Sequence, residues 1–154
     1  MIRVDITEDP IDPGGVLDAF ASEGDGAVLL FLGVIRDHNQ GRTVRAVAYE
    51  AYSDMARETL ETIAGEAGER IGTDRITVLH RVGMLEVGEI ATAIAVASPH
   101  RAEAYEGSRY IIEEIKKRLP IWKKEAYVGG EEAWVEGQVP PPSHVPPPSQ
   151  GGGS

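Results

Sequence analysis

The stretch from Ser98 to Glu125 constrains the chain most, because it carries its own start signal, stop signal and charge pattern. Ser98 followed by Pro99 reads as an N-cap and a first-turn proline, so a helix is expected to open there with His100 and Arg101 in its first turn. Tyr105, Ile112, Ile115 and Leu119 recur at helical spacing and supply an expected buried face. Pro120 disfavours helical geometry in the residue before it, so the helix should stop at Leu119 and the chain turn extended. Lys116, Lys117, Arg118, Lys123 and Lys124 place five cations in nine residues with no acid between them.

That cluster stands against the rest of the chain, whose net charge is −10 over 154 residues. An acidic chain argues against broad nucleic-acid binding, which needs a dominant basic face, so the cluster points to a local site for a small anion. The chain has no cysteine, which excludes disulfides, thiolate metal sites and a cysteine nucleophile. Any sulfur chemistry would draw its sulfur from elsewhere. The start of the chain lacks a signal-peptide core and no apolar run reaches membrane-spanning length, so a soluble, cytoplasmic protein is expected, with neither nucleic acid nor membrane as partner.

In chain order, Ile2, Val4 and Ile6 alternate with polar residues as in a half-buried strand. Asp12-Pro13 opens a short helix through Val16, Leu17 and Phe20. Residues 27–35 are an unbroken apolar run of nine, expected as a central strand buried on both faces and leading straight to Arg36. A strand over 43–52 precedes a helix capped by Ser53, striped by Ala56, Leu60, Ile63, Ala64, Ala67 and Ile71 and stopped by Gly72. A strand from Ile76, a turn over 83–88 and an apolar strand from Ile90 lead into the 98–119 helix. A hairpin around Gly129-Gly130 follows. This order predicts an α+β domain with a mixed, largely antiparallel sheet. From Gly137 the composition changes: Val-Pro-Pro-Pro-Ser occurs twice and the chain ends Gly-Gly-Gly-Ser, so residues 137–154 read as a disordered tail outside a domain of residues 1–136.

His100 and Arg101 fall at a helix N-terminus, where free N–H groups and the dipole favour an anion. Lys116 to Arg118 are explained equally well as cations completing a helix C-terminus, but Lys123 and Lys124 beside Trp122 are not. Crowded ammonium groups against apolar walls lose affinity for their protons, which suits proton exchange near neutral pH. His80 reads as a satisfied core histidine, and Arg36 and His38 read equally as surface loop residues. The four histidines show no metal spacing, so neither metal nor cofactor is expected.

Five collinear blocks extend these readings: G-A-V-L-L-F-L-G-V-I-R-D-H-N-Q-G at 26–41, Y-E-A-Y-S-D-M-A at 49–56, H-R-V-G-M-L-E-V-G-E at 80–89, S-P-H-R-A-E-A at 98–104 and K-K-R-L-P-I-W-K-K-E at 116–125. Together they resemble the catalytic large subunit of molybdopterin synthase, the MoaE family. The resemblance implies an α/β hammerhead fold, a homodimer, and a heterotetramer with a small ubiquitin-like sulfur carrier ending in a Gly-Gly thiocarboxylate. It further implies sulfur transfer to cyclic pyranopterin monophosphate to make the molybdopterin dithiolene. It assigns Lys116 and Lys123 as catalytic, and Val34, Ile35, Arg36, His100, Arg101, Lys124 and Glu125 as substrate-binding. A family arginine is replaced near Gln138, and the Pro-rich tail is not part of the pattern. Which lysine moves protons and which stabilises charge is left open. The rival class is a non-catalytic phosphate-binding or adaptor protein, which would need the arginines but not two lysines at this spacing.

Overall fold

A computed structural model describes residues 1–18 and 20–135; the tail and the Gln138 position lie outside the described residues. The elements are β1 (Ile2–Thr7), α1 (Pro13–Leu17), β2 (Ala27–Val34), β3 (His38–Asn39), β4 (Arg42–Ala51), α2 (Ser53–Ile71), β5 (Ile76–Arg81), β6 (Gly83–Glu86), β7 (Ile90–Ser98), α3 (Arg101–Arg118), β8 (Ile121–Tyr127) and β9 (Glu132–Trp134). They form two sheets. One has the order β1-β5-β7-β2, with β1 parallel to β5 and the other pairs antiparallel. The second is built on the long β4, which pairs antiparallel with β3, β6 and β8, while β9 pairs with β8. The α+β, largely antiparallel architecture expected from the sequence is the one adopted.

Helices α2 and α3 lie on one face of the first sheet. Leu60, Ile63 and Ala67 of α2 and Ile111 and Ile115 of α3 pack there with Ile76 and Val78 of β5 and Ile94 and Val96 of β7. Alternate residues of the same strands, Leu79, Ala93 and Ala95, meet Ile11 and Val16 on the opposite face. The second sheet has its own core of Val44, Val47, Tyr49, Leu85 and Tyr127. The two helices approach closely at Gly107, where a Cβ would stand 2.5 Å from Cδ1 of Ile71.

Several local expectations are corrected. Among the described residues the apolar run at 27–35 is an edge strand bonded only to β7, not a central one, and Val28 and Val34 are 47% and 52% exposed. The strands buried on both faces are β5, covered throughout, and β7, covered from Ala91 to Ser98. The 83–88 turn contains a strand, β6, because Gly83–Glu86 pairs with Tyr49–Ala46 of β4. Phe20 lies beyond α1. On α3 the N-cap is His100, not Ser98; the Ser98 hydroxyl instead accepts from the His100 amide at 3.3 Å and donates to its carbonyl at 2.9 Å. Tyr105 is 62% exposed, and the buried stripe is Ala104, Gly107, Ser108, Ile111 and Ile115. Ser53 is the first residue of α2 rather than its cap, which is Tyr52. The stop at Leu119 and the hairpin at Gly129-Gly130 stand as expected.

Candidate active site

The two sheets and the end of α3 enclose a cavity of about 470 Å³. Each wall arrives by a different route. At its C-terminal end β2 delivers Val34, Ile35 and Arg36, just past a register shift between Gly33 and Val34. The last turn of α3 delivers Lys116, and the break at Pro120 returns the chain as β8, bringing Lys123 and Glu125 to the same cavity. Tyr49 of β4 and His80 of β5 complete the wall. Thus Val34, Ile35, Arg36, Lys116, Lys123 and Glu125, scattered over 92 positions of sequence, line one space.

The basic cluster divides by role. Arg118 pairs with Glu66 at 2.7 Å and Glu114 at 3.0 Å, tying α3 to α2, and Lys117 pairs with Glu114 at 3.4 Å. Side chains alternate along β8, so Lys123 and Glu125 share a face while Lys124 turns away to Glu132 at 3.4 Å and lies 5.5 Å from the centre of the Trp134 ring. Among the described residues, Arg36, Lys116 and Lys123 form no ion pair. Lys124 therefore lies outside the cavity. His100 and Arg101 lie outside it too: they are exposed at the opposite end of the 18-residue α3, about 27 Å along its axis.

Electrostatically the cavity favours negative charge. Burial, and then the charge of Lys116, hold the Lys123 ammonium below the usual lysine range; Glu125 opposes this and Arg36 adds to it. Burial pushes the Tyr49 phenol up to about 12, with help from the Glu125 charge, so Tyr49 stays protonated. Burial pushes His80 down to about 4, opposed by its bond to the Arg81 carbonyl and assisted by Lys116 and Lys123. His80 Nδ1 is 2.8 Å from that carbonyl, which can only accept, so Nδ1 carries the proton and Nε2 is left as an acceptor. Its ring meets Tyr49 edge-on at 5.2 Å. The expectation of a satisfied core histidine thus holds, and His80 is also a wall of the site. Sequence reasoning gave Tyr49 no role of its own, although it opens the motif block at 49–56, because its position in a strand does not mark it as a wall of the site. Among the described residues no cluster could hold a metal ion, and no helix is long and apolar enough to cross a membrane.

A cavity of this size, with three converging cations outside any ion pair among the described residues and one lysine whose hold on its proton is weakened, defines a class: an enzyme acting on a compact anionic substrate. The comparisons with known proteins agree. The model of the MoaE protein family matches residues 6–118. The molybdopterin synthase catalytic subunit of Halalkalibacterium halodurans is 42% identical over 137 residues, 89% of this chain and 87% of that protein. Molybdopterin synthase catalytic subunit 1 of Mycobacterium tuberculosis is 40% identical over 130 residues, 84% and 88% of the two chains. The crystal structure of molybdopterin synthase from Staphylococcus aureus superposes with a TM-score of 0.79 at 37% identity, covering 85% of this chain and 95% of that one. The chain belongs to the MoaE family, which includes catalytic subunits of molybdopterin synthase.

Proposed function

We propose that Lys123 and Lys116 carry out the chemistry of molybdopterin synthesis in this chain. Its sulfur would come from the terminal thiocarboxylate of a small Gly-Gly carrier, and cyclic pyranopterin monophosphate would accept it, in the cytoplasm. The observation that carries this reading is the convergence of Lys116, Lys123 and Arg36 on one cavity, where Lys123 is half-buried and held below the usual lysine range by burial and by Lys116. The absence of cysteine fits a sulfur that arrives on a partner.

The division of labour follows from the environments. Lys123 is the proton carrier: when the cyclic phosphate opens, the oxygen it releases needs a proton, and a desolvated ammonium beside another cation gives one up readily. Lys116 and Arg36 supply fixed positive charge where negative charge develops as sulfur bonds to carbon. Apolar Val34 and Ile35 line the approach. His100 and Arg101 cannot reach this cavity from their own chain, so in a homodimer they serve the site of the second copy. The domain ends at residue 136, with residues 137–154 as an appendage.

The test is turnover of purified Lys123→Ala with thiocarboxylated carrier. Loss of general acid–base action predicts a fall of about 10²–10⁴ in kcat with the fold and carrier affinity kept. Near-normal turnover refutes the assignment.

A further inference from the structure

Among the described residues Glu125 is the only acid that lines the cavity, and it is 5% exposed. A carboxylate in such a place has to be held by donors, because burying its charge unaided is costly. Two are present: Oε1 accepts from Asn39 Nδ2 at 3.0 Å and from the Tyr127 hydroxyl at 2.9 Å. We propose that Asn39 and Tyr127 are positioning residues, which fix the Glu125 carboxylate in the cavity wall and thereby set the charge around Lys123. The proposal rests on the reading of Lys123 given above.

Both bonds go to the same oxygen, so neither claims Oε2. The donors are themselves held. Asn39 sits on the two-residue β3, opposite Arg42, in a hairpin closed by Gln40 at φ 50° and Gly41 at φ 78°. Positive φ at both loop residues is what a two-residue hairpin turn requires, so the turn itself fixes the place of Asn39. The hairpin is tied to β8 and its neighbours by Arg42, whose guanidinium lies 3.9 Å over the Tyr127 ring and 3.3 Å from Glu131. Arg36 lies three residues before Asn39, so the same latch secures the loop that carries it. Burial, and then the bond to Glu125, push the Tyr127 phenol up, so it remains a donor.

The consequence falls on Lys123. Lys116 of α3 and Arg36 after β2 weaken its hold on a proton, and Glu125 of β8 strengthens it. Lys117 of α3 lines the same cavity; Tyr49 of β4 and His80 of β5 stay neutral there. Glu125 is thus the one negative counterweight in the cavity wall, and its fixation decides how strongly it acts.

The experiment follows the ¹³Cε shift of Lys123 through a pH titration of the full chain, the signal being assigned by its loss in Lys123→Arg. Glu125→Gln should lower the titration midpoint by about one pH unit. Tyr127→Phe, which keeps the ring under Arg42, and Asn39→Ala should each lower it by part of that amount. In the Glu125→Gln background neither should move it further. Unchanged midpoints in both single variants overturn the proposal, and so do shifts that persist in the Glu125→Gln background. The titration is read without turnover. A shifted midpoint with unchanged kcat would therefore leave the positioning role standing and refute the catalytic reading of Lys123.

Discussion

Replacing His80 by phenylalanine should make the protein less sensitive to acid, and the size of the effect follows from the site. His80 is buried and titrates near 4 in the folded chain, against an ordinary value of 6.5. Protonation would place a buried cation beside Lys116 and Lys123. The unfolded chain takes up the proton below about 6.5 and the folded chain does not until about 4. The unfolded state therefore binds more protons through that window, and folding stability falls as pH falls. At about 1.4 kcal/mol per pH unit, cooling nothing and changing only pH from about 7.5 to about 4.5 removes about 2.5 kcal/mol, a large part of a typical domain's stability.

The assay is urea unfolding of wild type and His80→Phe at those two pH values. Carboxylate titrations are common to both chains and cancel in the comparison. The variant starts from a different stability, since it loses the bond to the Arg81 carbonyl, but only the pH-dependent part is read. Wild type should lose about 2.5 kcal/mol more than the variant over the interval. Equal losses in the two chains would show that His80 is protonated in the fold, and the neutral-imidazole wall described for the cavity would be wrong.

Gly107→Val should destabilise the fold by about 1–3 kcal/mol, because its Cβ meets Cδ1 of Ile71 at 2.5 Å, and thermal melts should show Ile71→Ala recovering part of the loss. Arg101→Ala and Lys123→Ala, each inactive alone, should regain about a quarter of wild-type sites when unfolded together and refolded, since a mixed dimer then holds one intact site; no recovery would show that Arg101 does not serve the second copy. Truncation after Glu136 should leave the rate with separate carrier unchanged within about twofold, and a marked rise would instead show residues 137–154 occupying the carrier's place.

How much of this was legible in the sequence depended on whether the signal was local. The proline break that folds Lys123 back beside Lys116 is local, since Pro120 acts on its own neighbours, and the two lysines do meet. The apolar run at 27–35 was misread because side-chain pattern reports the two faces of a strand and says nothing about its edges. Leu29 and Phe31 pack toward α2 and α3 while Leu30 and Leu32 pack toward α1, so β2 shows no alternation although, among the described residues, one edge lacks a partner strand. The Gly83–Glu86 strand was missed because its partner, β4, lies more than 30 residues away. The Asn39 contact with Glu125 spans 86 residues, and no spacing rule reaches that far.

The same limit explains the anion-binding residues. Sequence reasoning placed cations at both ends of α3 and credited both to one site, because composition records charge without direction. A helix of 18 residues turns that into a length, about 27 Å, against a cavity of about 470 Å³, which is roughly 10 Å across if spherical. One copy of the chain cannot close both ends of its own helix on one substrate. With His100 and Arg101 serving the second copy as proposed, the helix is a spacer joining two sites, its C-terminal lysine in one and its N-terminal arginine in the other. A defect at Arg101 would then fall on the site of the neighbouring copy, while a defect at Lys123 would stay in its own.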